Sequence, residues 1–415
     1  MRIIPNQGIC DPHMHVYNGK VYLYATHDRC PGNTDFRMDD WKIFSSDDLL
    51  NWKLEYTFHP EDTFLGQCEE CYAVDSARRN GKYYLYFSYH QDCTGVAVSD
   101  RPEGPYADAL GKPLLPPWMV DTASYDPTVF IDDDEEKTPY IIFGYTVLGK
   151  QYYIARLNED MISLAEPPRP IEIIDGWQND ANWVHKRSGV YYLNSHGGVY
   201  ATAENVYGPY TYRGKFCNDA TVDHGTFFTY HNQTYFTYGI PENWGSEKPD
   251  IFYRTTKMVY AHYKDNGDIA IDEFIQEAGV GQYDASWDEI KGEWYFAASD
   301  GVYKKENANG FEIRGITDGS YLYYQNVNGM CQNARIYLFV ANGGCPCTVE
   351  IREGSPFGAV LGCCQVNSTG GFDSFREISC KLENTHGTHS LCFVFRGEDK
   401  ELLRFEHFRF EQIKA

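Results

Sequence analysis

Three acidic residues stand at corresponding places along a sequence of 415 residues. Asp11 precedes Pro12, Asp126 precedes Pro127, and Asp180 lies in Asn179-Asp180-Ala181-Asn182-Trp183. Each comes just ahead of a strand-like segment. Carboxyl groups brought together from such places can cleave a glycosidic bond, one activating water and another protonating the departing oxygen. A third nearby raises the acid's pKa by like-charge repulsion. The same residues also fit a structural role, with Asp-Pro initiating turns and Asp180 capping one. Spacing alone leaves both readings open.

A repeat must position them. Asn18-Gly19-Lys20-Val21-Tyr22-Leu23-Tyr24 and Asn80-Gly81-Lys82-Tyr83-Tyr84-Leu85-Tyr86 are near copies. Weaker copies follow at Thr138 to Phe143, Ser188 to Leu193 and Asn232 to Tyr238. Asn-Gly makes a tight hairpin turn, and the alternation after it makes a strand with one buried face. The chain holds 34 Tyr, 24 Phe and 8 Trp, which favours pleated sheet, and helical periodicity is nearly absent. Five hairpin units at this period predict an all-β chain whose residues 1–278 form a five-bladed β-propeller. The inner-strand starts of such blades converge on one axis, so the three carboxylates are expected to meet in one pit. Beyond residue 279, short strands between Gly-rich turns (Asn342-Gly343-Gly344, Gly370-Gly371) predict a β-sandwich of jelly-roll type reaching residue 415. Gly292-Glu293-Trp294-Tyr295-Phe296 resembles a sixth repeat but is placed as the sandwich's opening strand.

Charge narrows the partners. With 36 basic against 59 acidic residues the formal charge is −23, which repels phosphate backbones and anionic lipid. Neither a nucleic acid nor a membrane is expected as partner. Neutral sugars fit, and the many aromatic faces suit their rings. Met1 to Cys10 lacks the pattern of a secretory leader, so a cytoplasmic location is expected if the sequence is complete, and a secreted one if a leader has been removed. The thirteen cysteines, with Cys68 and Cys71 as a single CxxC, are expected to be ordinary reduced thiols.

Several segments carry a resemblance, in order, over nearly all of residues 1–276. They are Gly8-Ile9-Cys10-Asp11-Pro12-His13, Met38-Asp39-Asp40-Trp41-Lys42, Asp126-Pro127-Thr128-Val129-Phe130, and Trp183-Val184-His185-Lys186 followed by Tyr191-Tyr192-Leu193. These resemble glycoside hydrolase family 43. The resemblance implies an inverting hydrolase of β-xylosides or α-L-arabinofuranosides, acting on arabinoxylan- or arabinan-derived saccharides. It places Asp11 as general base and Asp126 as the carboxylate that tunes the acid. Asp180 falls on the general acid, where the family carries Glu. A carboxyl one methylene shorter, by about 1.5 Å, loses reach to the leaving oxygen. Three alternatives follow: the backbone moves inward, another group supplies the proton, or the chain is a weakly active or non-catalytic sugar-binding homologue.

By the same resemblance His224 matches a histidine of the axial channel, beside calcium or its water shell, and is a candidate metal residue. No cofactor is required for the chemistry, though a structural calcium is compatible with it. Arg254 matches an arginine on the floor of the sugar pocket. Trp41 and Tyr72 are candidates for packing on the sugar ring. Residues from about 282 onward, through Val349-Glu350-Ile351-Arg352, Thr369-Gly370-Gly371-Phe372 and Gly387-Thr388-His389-Ser390-Leu391, resemble carbohydrate-binding module family 6. The late Asn that often contacts sugar there is missing from Leu403-Arg404-Phe405-Glu406-His407-Phe408, which leaves a sugar-binding sandwich and a purely structural one both open.

Overall fold

The computed structural model describes residues 2–30, 32–33, 35–176, 179–219, 221–242 and 253–411. By its contacts the chain divides into two compact units, Met1–Phe228 with Phe236–Val259, and Thr229–Tyr235 with Tyr260–Ala415. No helix among the described residues is long and apolar enough to cross a membrane.

Five sheets follow one another along the chain as the blades of a propeller, antiparallel but for the parallel pair Ile173–Ile174 and Tyr210–Lys215 in the fourth. Their innermost strands are Ile9–Tyr17, Cys71–Arg79, Thr128–Ile131, Trp183–Arg187 and Asp223–Tyr230. In four blades a two-residue hairpin leads from the innermost strand to the next. Both turn residues have positive φ: Asn18 and Gly19, Asn80 and Gly81, Ser188 and Gly189, His231 and Asn232. That is the turn whose twist matches the flanking strands, and it explains why the Asn-Gly signal repeats. Blade three departs from it, joining its first two strands through a longer loop that ends at Thr138.

Polar contacts near the axis close the ring. His15 Nε2 lies 2.7 Å from Asp75 Oδ1, and Asp75 Oδ2 accepts from the Val129 amide at 2.6 Å. Thr128 donates to the Asn182 carbonyl and Asn194 to that of Gly225. Thr226 donates to the Pro12 carbonyl at 3.0 Å, joining the last blade to the first. Between blades one and two, Tyr24, Trp41, Phe58, Leu85 and Phe87 form an apolar layer. Dense contact there fixes where each inner strand starts.

The sandwich has two sheets. One runs through Tyr283–Asp284, Tyr321–Met330, Gly387–Arg396, Cys347–Glu353 and Val360–Val366. The other runs through Tyr303–Asn307, Gly310–Arg314, Arg404–Phe410, Arg335–Ala341 and Arg376–Lys381. Buried Tyr324, Phe393, Phe405 and Phe408 fill the space between them. The segment expected as a single opening strand is instead a 3-10 turn, Gly292–Trp294. It is flanked by Ile290–Lys291 on one sheet and Ala297–Ala298 on the other, so the chain changes sheet at this point. The expectation of reduced thiols throughout is also corrected. Cys364 and Cys380, on strands of opposite sheets, form a disulfide, while eleven cysteines are free.

Candidate active site

Asp11, Asp126 and Asp180 line one cavity of about 220 Å³. Local backbone irregularity turns them there. The pairing of Ile9–Tyr17 slips between Cys10 and His13, a bulge at which Asp11 takes φ 47°. Asp126 has φ 51°, and Ala181, beside Asp180, has φ 59°. Left-handed backbone at non-glycine residues is strained and clusters where side chains must be aimed. A fourth carboxylate stands at the same place in the fifth blade: Asp223, the first residue of its inner strand. Sequence reading missed it, although its position at a strand start was the signal that marked the other three.

Arg254 organises the floor of the cavity. It is 5% exposed, and it donates from Nη1 to Asp11 Oδ1 at 2.6 Å and to Asp223 Oδ2 at 2.9 Å. Its Nη2 and Nε hold Asp28 Oδ1 and Oδ2 at 2.9 and 3.1 Å, a two-pronged pair. Thr26 Oγ1 donates to Asp11 Oδ2 at 2.6 Å, so both Asp11 oxygens have fixed partners. His224 bridges two blades' carboxylates, its Nε2 lying 3.8 Å from Asp11 Oδ1 and 3.4 Å from Asp126 Oδ2. Burial works against a charged ring, but Asp11 and Asp126 outweigh it and hold the His224 pKa up at about 10. His224 is a cation at neutral pH.

Asp11, Asp223 and His224 each bring one donor atom within 4.8 Å of the others. The Arg254 guanidinium already binds both carboxylates, and a protonated imidazole has no lone pair for a metal. A metal held there would have to displace the guanidinium and take the imidazole's proton; in this structure His224 is a charge partner of Asp11 and Asp126.

Asp180 has a different setting. Burial raises its pKa first, then the charges of Asp126 and Asp223. Tyr125 OH donates to its Oδ2 at 3.3 Å. Its carbonyl accepts from Ser195 Oγ at 2.6 Å and Tyr152 OH at 3.0 Å, which ties this stretch of backbone to blades four and three. A carboxyl whose pKa is pushed upward by burial and neighbouring acidic groups has the character of an acid catalyst. His196, also missed by sequence reading, lines the same cavity with Nδ1 3.3 Å from Asp223 Oδ1.

Tyr72, Phe36 and Met38 supply apolar walls. Tyr72 is on the cavity as expected. Trp41 is not. It is fully buried between Phe58 and Phe87, with its indole N–H on the Tyr72 carbonyl at 2.7 Å. It therefore supports Tyr72 from behind and offers no face to a ligand.

Residues 3–215 match Glycosyl hydrolases family 43, and residues 292–412 match Carbohydrate binding module (family 6). A xylosidase/arabinosidase of Bacteroides ovatus is 32% identical over 51% of this chain and 79% of its own length. An arabinoxylan arabinofuranohydrolase of Bacillus subtilis (strain 168) is 25% identical over 97% of this chain and 90% of its own. Among solved structures, a family 43 arabinoxylan arabinofuranohydrolase from Bacillus subtilis, in complex with cellotetraose, superposes with a TM-score of 0.56 at 22% identity. That alignment covers 99% of this chain and 97% of that one, and it bears on the fold of both parts.

Proposed function

This chain belongs to glycosyl hydrolase family 43, and on that premise we propose that it cleaves terminal arabinofuranosyl or xylosyl units from arabinoxylan- or arabinan-type saccharides with inversion. Relatives named for xylosidase and arabinofuranosidase activity support the substrate class. The observation that carries the reading is the meeting of Asp11, Asp126 and Asp180 in one small cavity, where burial and the neighbouring carboxylates push Asp180 towards its protonated form. The volume, about 220 Å³, suits one sugar ring rather than a stretch of polymer.

In this reading Asp11 takes a proton from a water that attacks the anomeric carbon from the face opposite the leaving group. Asp180 gives its proton to the departing oxygen as the carbon–oxygen bond breaks. The charge of Asp126 adds to burial in raising the Asp180 pKa, and Asp126 anchors His224. Arg254 and Thr26 fix the orientation of Asp11, so that its proton-accepting oxygen meets the water without reorganisation. No step runs through a metal.

The test is hydrolysis of 4-nitrophenyl α-L-arabinofuranoside, 4-nitrophenyl β-D-xyloside and the corresponding oligosaccharides, with the anomer of the product read by NMR. Asp11→Asn and Asp126→Asn are the useful variants, because Asn tolerates the positive φ at these sites. Asp11→Asn is expected to lose about 10²–10⁴ in kcat on every substrate. Wild-type protein inert towards both sugars, in aryl and oligosaccharide form alike, overturns the proposal in favour of a sugar-binding homologue.

A further inference from the structure

The shortened acid at position 180 leaves a reach to be made up, and one histidine of the cavity has no part in the reaction as written above. His196 sits in the turn between Val190–Ser195 and Val199–Ala203 of blade four. Its amide donates to the Asp180 carbonyl at 3.4 Å, and its own carbonyl accepts from Asn179 Nδ2 at 2.8 Å. These two contacts lock the His196 turn alongside the stretch that carries Asp180. Across the boundary to blade five, Nδ1 lies 3.3 Å from Asp223 Oδ1. Asp223 in turn is held by Arg254 at 2.9 Å, so this carboxylate cannot turn away. The ring is 39% exposed, the most open charged group placed in the cavity above, and Nε2 is its second possible donor.

We infer that His196 is a further catalytic residue on the leaving-group side, an imidazolium that donates from Nε2 to the departing glycosidic oxygen and completes the proton transfer that Asp180 is too short to make alone. The inference rests on the hydrolytic reading of the cavity. Asp223 is oriented to hold the ring in its protonated, Nδ1-donating form, as a carboxylate does for a catalytic histidine. The charged groups facing the ring are Asp223 on blade five, Asp180 on its own blade, and His224, which opposes them. The bond to Asp223 raises the His196 pKa above its ordinary value, against the cost of burial. In the reaction the departing oxygen takes a single proton, which comes from His196 in place of Asp180: the Nε2–H bond breaks and an O–H bond forms on the leaving group as the anomeric carbon–oxygen bond opens. The attacking water loses its proton to Asp11, and that proton passes to solvent. The neutral imidazole regains one from solvent through its open edge. The balance is that of simple hydrolysis, with no co-reactant beyond water.

Leaving-group dependence tests it. A dinitrophenyl pentoside needs little protonation on departure, whereas a xylo- or arabino-oligosaccharide needs it fully. For His196→Gln we expect about a 10²-fold loss of kcat/KM on the oligosaccharide, with less than about threefold loss on the dinitrophenyl substrate. The alkaline limb of the wild-type pH profile should also move to lower pH in the variant. His196→Asn serves as a second variant, with thermal melting to confirm that each is folded. Equal losses on both substrates, or an unchanged oligosaccharide rate and pH profile, overturn the role of His196 while leaving the hydrolase reading in place. Wild-type protein inactive on every pentoside overturns the hydrolase reading itself.

Discussion

Asp11 and Arg254 are 243 residues apart in sequence, and their side chains meet at 2.6 Å. One lies on the first blade's inner strand and the other at the start of a strand of the fifth, so the pair closes the ring at the level of the cavity. The guanidinium also holds Asp28 and Asp223. Removing it leaves three carboxylates in a buried site without their cation. Arg254→Ala is expected to destabilise the propeller by about 3–5 kcal/mol, measured by urea unfolding. Arg254→Lys keeps the charge but loses the two-pronged contact to Asp28, and should recover only part of that loss.

Trp41 and Tyr72 separate packing from binding. Trp41→Ala should cost about 3–5 kcal/mol through the cavity left between Phe58 and Phe87. Trp41→Phe, if folded, should leave KM within about twofold of wild type, because no face of Trp41 reaches the cavity. Tyr72→Ala should instead raise KM by about tenfold, the loss of one ring's stacking and apolar contact. Unfolding midpoints and Michaelis curves for the three variants decide it.

Glu293 gives the sandwich a pH dependence. It is 2% exposed, and burial followed by the charge of Asp272 pushes its pKa from 4.5 up to about 8. A carboxyl raised on folding favours the folded state while it stays protonated. Its contribution is therefore whole below about 4.5 and is lost as pH rises through about 8. Wild-type melting temperature should fall across that window more than that of Glu293→Gln. The difference at pH 8 should correspond to about 4 kcal/mol.

The disulfide between Cys364 and Cys380 closes a loop of sequence separation 16 between the two sheets. Constraint of the unfolded chain by such a loop is worth about 3 kcal/mol. Reduction, or Cys380→Ser, should lower the stability of the sandwich by that order. Hydrogen exchange of the Val360–Val366 and Arg376–Lys381 strands with and without reductant would register it.

Local sequence determined the repeat, and with it most of the fold. Asn18-Gly19 and Asn80-Gly81 require positive φ at both positions, which few residues other than Asn and Gly adopt readily, so the hairpins announce themselves in the chain. Because each hairpin opens from an inner strand, the residues just ahead of those strands were legible as neighbours, and Asp11, Asp126 and Asp180 do share a cavity. What surrounds each carboxylate was decided only by the tertiary structure. Asp28 and His196 carry no local pattern that sets them apart from the other acids and histidines, Asp223 offers only its place at a strand start, and the roles of all three arise from contacts made across blades. Trp41 looked like a sugar platform because an aromatic in a strand has the same signature whether it faces a neighbouring blade or a ligand. The setting of His224 was hidden for a similar reason: its charge depends on Asp11 and Asp126, more than two hundred and nearly one hundred positions away in the chain. Turn geometry is a property of adjacent residues and can be read along the chain. Burial, charge and hydrogen-bond partnership are properties of distances in space, and they exist only once the ring has closed.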